Sequence, residues 1–156
     1  MIPALELVMT LHVEIAPPLE IGDIGGGIRR VIPIVGGTFE GPNIRGQVLP
    51  GCADWNLARH DGTSELWARY TLRTEDDVLI GVLNTGGAVP QADGSVYVRT
   101  VPQFEVVNER YGWLRRSIFV GTLTAAELDG AVKLQFFRVL YSRGAQSART
   151  WRRSSA

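Results

Sequence analysis

Apolar and polar residues in this chain alternate with a period of two, run after run, while helical spacing is almost absent. Leu5, Leu7, Met9, Leu11 and Val13 alternate with Glu6, Val8, Thr10, His12 and Glu14, the pattern of a long strand with one face buried. Pro17-Pro18 ends that run. A β-branched, apolar stretch follows from Arg30 to Phe39, with Pro33 expected at an edge or a bulge. Trp67, Arg69, Thr71 and Arg73 then alternate with Leu66, Ala68, Tyr70 and Leu72, and residues 78–83, 95–101, 113–120 and 132–140 complete the set. Asp61-Gly62, Gly86-Gly87 and Asp93-Gly94 lie between the runs and supply the positive φ of tight turns. Only Thr124-Ala125-Ala126-Glu127 has the spacing of a helix start, which predicts one short helical turn near 124–129, stopped by Asp129-Gly130. Short strands at regular spacing with so little helix mean a sandwich or a barrel. A barrel leaves no exposed edge, and about eight strands enclose one small ligand. The expectation is a single antiparallel β-barrel with a small-ligand cavity.

Composition narrows the function classes. At 156 residues the chain suits one domain, expected over 1–142, followed by a polar, basic tail over 143–156 that contains Trp151 and reads as frayed. Lys plus Arg equals 16 and Asp plus Glu equals 16, so the electrostatic surplus that nucleic-acid binding needs is missing outside the tail. One cysteine excludes an internal disulfide, and with two histidines it excludes most Cys/His zinc designs. No apolar run reaches the roughly 18 residues of a spanning helix. The first residues lack a basic segment followed by a long apolar one, so no signal peptide is read and the cytoplasm is the default compartment. The expected partner is therefore a small organic molecule rather than nucleic acid or membrane, with oligomeric state open.

Motifs that carry chemistry are sparse. Gly22-Asp23-Ile24-Gly25-Gly26-Gly27 has neither the ending of a phosphate-binding loop nor the strand-then-helix context of a dinucleotide fingerprint. His12 and Glu14 share a strand face, but a metal site wants three or more convergent ligands, and a solvent-facing histidine is the plainer reading. Cys52 has no neighbouring base to lower its pKa and reads as a small residue in a turn. Ser64, Ser95 and Ser117 lie in no nucleophile elbow. The richest stretch runs from Gly36 to Trp55. It holds Glu40 before a Gly-Pro turn, Arg45, and an Asp54-Trp55 pair after a Pro-Gly turn. A carboxylate aimed into a barrel stays ionised cheaply only beside an arginine or a hydrogen-bond network, and Arg45, Arg69, Arg73 and Arg99 are the candidates. Trp55, Trp67, Trp113, Tyr97 and Tyr111 could line a cavity for a flat ligand, although aromatics are first of all core fillers.

The run GGTFEGPNIRGQVLPGCADW resembles the signature of the DUF3237 family, also called the UPF0311 proteins. ARYTLRTEDD, YVRTVPQFE and YGWLRRSIFVG follow in matching order, so the resemblance covers about residues 5 to 140. It implies a small lipocalin-like antiparallel β-barrel. It also implies an enzyme without a cofactor, a lyase, isomerase or cyclase working on an aromatic or carbonyl-containing compound. Two departures accompany it. Cys52 replaces the second glycine before Ala-Asp-Trp, and the loop expected over residues 85–94 is shorter than the family's. On this reading Asp54 or Glu40 moves a proton and Tyr97 donates one. Arg69, Arg73 and Arg99 hold substrate oxygen, while Trp55, Trp67 and Trp113 stack on the ligand. The alternative is a barrel that binds a small hydrophobic or aromatic ligand without altering it.

Overall fold

Alternation becomes pairing in the computed structural model, which describes residues 2–126 and 129–141. Ten strands form in chain order: β1 (Ala4–Ile15), β2 (Leu19–Asp23), β3 (Ile28–Gly41), β4 (Ile44–Val48), β5 (Cys52–Ala58), β6 (Ser64–Thr74), β7 (Leu79–Pro90), β8 (Val96–Glu105), β9 (Phe119–Ala125) and β10 (Ala131–Leu140). Every pairing is antiparallel. The order runs β1-β10-β9-β8-β7-β6, crosses β4 and β5 to β3, and closes where β3 pairs with β1. β4 and β5 lie end to end between β6 and β3, and β2 continues the course of β1 beyond Pro17-Pro18 along the other side of β3. The result is a closed eight-stranded antiparallel barrel. Pro33 falls where β2's pairing has ended at Val31 and β1's begins at Ile34, a break that tolerates a residue without an N–H.

Inward parity selects the core. Met9 and Leu11 on β1 face Phe136 and Leu134 on β10, which face Gly121 and Leu123 on β9. Tyr70 and Leu72 on β6 meet Val82 and Ile80 on β7. Phe104 stands edge-on to Phe119 and Phe136, with ring centroids 5.2 and 5.9 Å apart. An added Cβ on Gly121 would sit 3.1 Å from the Phe136 ring, so a glycine is what lets that ring lie across the strand.

Several local expectations are corrected. Thr124 and Ala125 end strand β9 instead of opening a helix, because their partners Lys133 and Val132 extend the ladder to that point. Glu127 and Leu128 lie outside the described residues, as does the tail from residue 142. Residues 113–118 form turns rather than strand, and among the described residues helical backbone is confined to a short 3-10 turn at Glu109–Tyr111. Gly86-Gly87 sit within β7, opposite Thr100 and Arg99, because β7 continues to Pro90. The connection expected over residues 85–94 thus shrinks to the turn after Pro90, where Gly94 has φ +85°. No helix among the described residues is long and apolar enough to cross a membrane.

Residues 106–118 fold over one end of the barrel and bury Val106, Tyr111 and Leu114. The Tyr111 hydroxyl donates to Asp76 Oδ1 at 2.5 Å, and Arg110 Nη1 donates to Asp76 Oδ2 at 2.9 Å. The Tyr111 bond, chiefly, holds the Asp76 carboxyl below its ordinary value. A depressed carboxyl stabilises the fold fully above its unfolded value of 3.8, and that contribution is lost as pH falls through the lower folded value. Tyr111→Phe is therefore expected to flatten the loss of stability as pH falls below about 4 relative to the parent. Urea midpoints measured across that range check this, and parallel curves would refute it.

Candidate functional site

Away from that covered end, the inward side chains become small and polar. Cross-strand register orders them in rows. One row runs Ile32, Asp54, Ala68, Asn84 and Pro102 across β3, β5, β6, β7 and β8. The next holds Arg30 and Asn56 on one side, with Leu66, Gly86, Thr100 and Gly121 on the other. Ala68 and Gly86 leave little bulk between the polar groups. Neighbouring strands are about 4.8 Å apart, so Asp54 and Asn84 stand on backbones roughly 10 Å apart across Ala68.

Between β5 and β6 the ladder is interrupted. Ala53 pairs with Arg69, Asp54 with Ala68, Leu57 with Glu65 and Ala58 with Ser64, but Trp55 and Asn56 make no ladder pairing with Trp67 and Leu66. Side chains replace the backbone there. Asp54 Oδ1 accepts the Trp67 N–H at 2.9 Å, and Asn56 Nδ2 donates to the Glu65 carbonyl at 3.2 Å. Arg30 Nη2 donates to Asn56 Oδ1 at 2.7 Å, which fixes that amide. Burial lifts the Asp54 carboxyl above its ordinary value. The Trp67 N–H, Asn56 and the charges of Arg30 and Arg29 act against the rise without reversing it.

Buried polar atoms without partners gather on this wall. Among the described residues they are Arg30 Nε, Tyr70 Oη, Asn84 Oδ1, Thr100 Oγ1 and Ser117 Oγ. Arg30, Asn84 and Thr100 belong to these two rows, Tyr70 lies one inward step from Ala68 along β6 opposite Val82, and Ser117 lies elsewhere. Each such atom costs on the order of 1–3 kcal/mol until something bonds to it. Burial alone pushes the Tyr70 phenol up, so it remains a hydrogen-bond donor.

The other residues singled out in the sequence stand elsewhere. Asp54 faces inward, whereas Trp55 and Trp67 project from the outer surface at 44% and 42% exposure. They line a recess of about 760 Å³ with Arg29, Glu65 and Thr85. Arg69 pairs with Glu105 at 3.0 Å and Arg73 with Asp77 at 3.4 Å, both on that outer surface. Tyr97 is exposed, with the Arg99 guanidinium 4.6 Å above its ring. Glu40 is exposed on β3 opposite Arg45 and lines a second outer recess with Thr38 and Arg73. Trp113 packs 6.1 Å from Phe119 at the covered end and borders a groove with Arg45, Asp76 and Arg110. His12 and Glu14 are exposed, and His60 meets Asp23 at 3.2 Å. Cys52 opens strand β5 rather than sitting in a turn. The structure thus places on the inner wall with Asp54 a set the motifs did not reveal: Arg30 and Asn56 beside it, and Tyr70, Asn84 and Thr100 further along the wall. Their signal in the sequence is polar residues at the inward parity of apolar strands, Asn84 in step with Ile80 and Val82, and Thr100 in step with Val98 and Phe104.

Comparison with known proteins agrees with this architecture. The DUF3237 family model, described as a protein of unknown function, matches residues 3–139. A UPF0311 protein of Rhodopseudomonas palustris is 38% identical over 137 residues, 78% of this chain and 90% of its own. A UPF0311 protein of Clostridium acetobutylicum is 34% identical over 148 residues, 86% of this chain and 92% of its own. More distantly, a hydroalkoxylation enzyme of Penicillium herquei is 28% identical over 120 residues, 77% of this chain and 74% of its own. Among solved structures, a beta-barrel like protein from Acinetobacter baumannii superposes with a TM-score of 0.84 at 30% identity, covering 90% of this chain and 98% of its own.

Proposed function

Taking as premise that this chain belongs to the DUF3237 family, we propose that it is a small-molecule enzyme that moves a proton with Asp54 on the inner wall of the barrel. The observation that carries this reading is the surroundings of Asp54. It is a half-buried carboxyl lifted in pKa and fixed by the Trp67 N–H, on the same inner row as Asn84, whose amide oxygen has no partner. A carboxyl lifted toward neutrality exchanges protons more readily than an exposed one. The carboxylate takes a proton from one position of the substrate, oxygen charge is held by Tyr70 or Arg30, and the carboxylic acid returns the proton at another position. The same two half-steps serve isomerisation, elimination, or ring closure by adding O–H across C=C. Hydroalkoxylation, the reaction in the name of the Penicillium herquei relative, is of this last kind. The substrate class is a small aromatic or carbonyl-containing compound, and the chain's own groups supply the proton transfer.

A second reading has its own support. Tyr70, Asn84 and Thr100 require a bonding partner but no chemistry, as in a barrel that only binds a small aromatic ligand. Incubation in heavy water with hydroxyaryl ketones, enones and phenolic alkenes, followed by mass spectrometry, separates the two. The enzyme reading expects deuterium uptake or product with at least one compound. Saturable binding across the panel with neither would overturn it in favour of the binding barrel.

A further inference from the structure

We infer that the outer recess over strands β5 and β6 binds a flat aromatic anion, its ring against Trp55 and Trp67 and its anionic oxygens on Arg29. The place is made where the two strands part. Register is the same on either side of the gap, with Ala53–Arg69 and Asp54–Ala68 before it and Leu57–Glu65 and Ala58–Ser64 after it. No residue has been inserted, so Trp55 stands directly opposite Trp67. Side chains take over backbone groups in the gap. Asp54 Oδ1 accepts the Trp67 N–H from the inner side, and Arg29, on the outward parity of β3, donates from Nη1 to the Trp55 carbonyl at 2.7 Å.

In a closed ladder two tryptophans so placed would stack on each other, since opposite side chains stand about 5 Å apart. Here both are exposed and their rings are not in contact; among the described residues aromatic rings meet at Phe104–Phe119, Phe104–Phe136 and Trp113–Phe119. The recess of about 760 Å³ that they line with Arg29, Glu65 and Thr85 has the size of a small-molecule site. A third ring laid on them gains the contact the pair does not make with itself. Charge then selects among flat ligands. Glu65 is met by Arg59, whereas Arg29 is in no ion pair among the described residues. Arg29 gives one N–H to the neutral Trp55 carbonyl, and the rest of its five donors suit a carboxylate or a phenolate. Neither the ionisation of Asp54 nor turnover enters, so the inference stands apart from the proton-transfer reading.

Three probes with one carbon skeleton separate ring from charge: 2-naphthoate, its neutral carboxamide, and the saturated decalin-2-carboxylate. Calorimetric titration of the full chain should show saturable binding of 2-naphthoate. The carboxamide should bind about tenfold more weakly and the decalin acid about fivefold or more. Trp55→Ala and Trp67→Ala should keep the parent's circular dichroism, because both side chains face outward, and each should weaken 2-naphthoate about fivefold or more. Arg29→Met should bring 2-naphthoate down to the affinity of the carboxamide. Sedimentation at the titration concentrations reports whether a second copy of the chain covers the recess instead. No saturable binding of 2-naphthoate, equal affinity for the three probes, or unchanged affinity in either tryptophan variant would each overturn the inference. A dimer that takes up no probe and dissociates on Trp55→Ala would overturn it as well. Binding is read without turnover, so its failure leaves the enzyme reading untouched, and inactivity toward every substrate leaves this site standing.

Discussion

Truncating Phe136 to alanine is expected to cost about 3–5 kcal/mol of folding stability, among the largest effects of a single side chain in this barrel. The residue is fully buried between Met9 on β1 and Gly121 on β9, and its ring meets Phe104 edge-on at 5.9 Å. Deleting it opens a cavity that β1, β9 and β10 cannot collapse into without breaking the ladders that close the barrel. In a domain of this size the loss corresponds to a fall in melting temperature of roughly 6–20 °C. Thermal unfolding followed by circular dichroism checks it, with Phe136→Leu as a milder companion. A fall of under about 2 °C for Phe136→Ala would mean that the three phenylalanines do not form the centre of the core.

The same strand illustrates what was legible in the sequence. Alternation over Val132–Leu140 locates β10, because strand parity is a local property, and the alternation over Leu5–Val13 likewise locates β1. Turn chemistry is less decisive. Asp61-Gly62 and Asp93-Gly94 make turns, with Gly62 at φ +87° and Gly94 at φ +85°. Gly86-Gly87 carries the same local signal but lies within a strand, where an added Cβ on Gly86 would come 2.2 Å from the Arg99 carbonyl. Close backbone approach, a tertiary fact, decides its place. Thr124-Ala125 imitates a helix start for the same reason, and cross-strand partners on β10 override it.

Of the polar residues on the inner wall, the sequence reading singled out Asp54 alone. Of the charged and aromatic residues that draw attention in the sequence, Trp67, Arg69, Arg99 and Tyr97 occupy the outward parity of their strands. The polar groups on the inner wall are of modest type, Asn84 and Thr100, distinguished by burial without a partner. Burial is a property of closure, and β1 with β3 closes the barrel through pairs that range in separation from Ile15–Ile34 to Thr10–Glu40. No local pattern contains that information.

Asp54→Asn is expected to separate activity from stability. In the enzyme reading the side chain is the proton carrier, so its amide should lose about 10²–10⁴-fold in turnover. Stability should move the other way or hold still at neutral pH. A carboxyl whose folded pKa lies above its unfolded 3.8 stabilises the fold fully below pH 3.8, and that contribution is lost as pH rises through the folded value. At pH 7 the parent therefore carries a burial cost that an uncharged amide lacks, while the asparagine oxygen can still accept the Trp67 N–H. The variant should match or exceed the parent's melting temperature at pH 7 and lose that advantage below about pH 4. Paired melts across this pH range, alongside turnover at each pH, give a joint signature that a merely structural aspartate would not produce. Lower stability of Asp54→Asn at pH 7 would show that the ionised carboxylate is a net stabiliser of the β5–β6 gap, and full turnover would remove Asp54 from the chemistry.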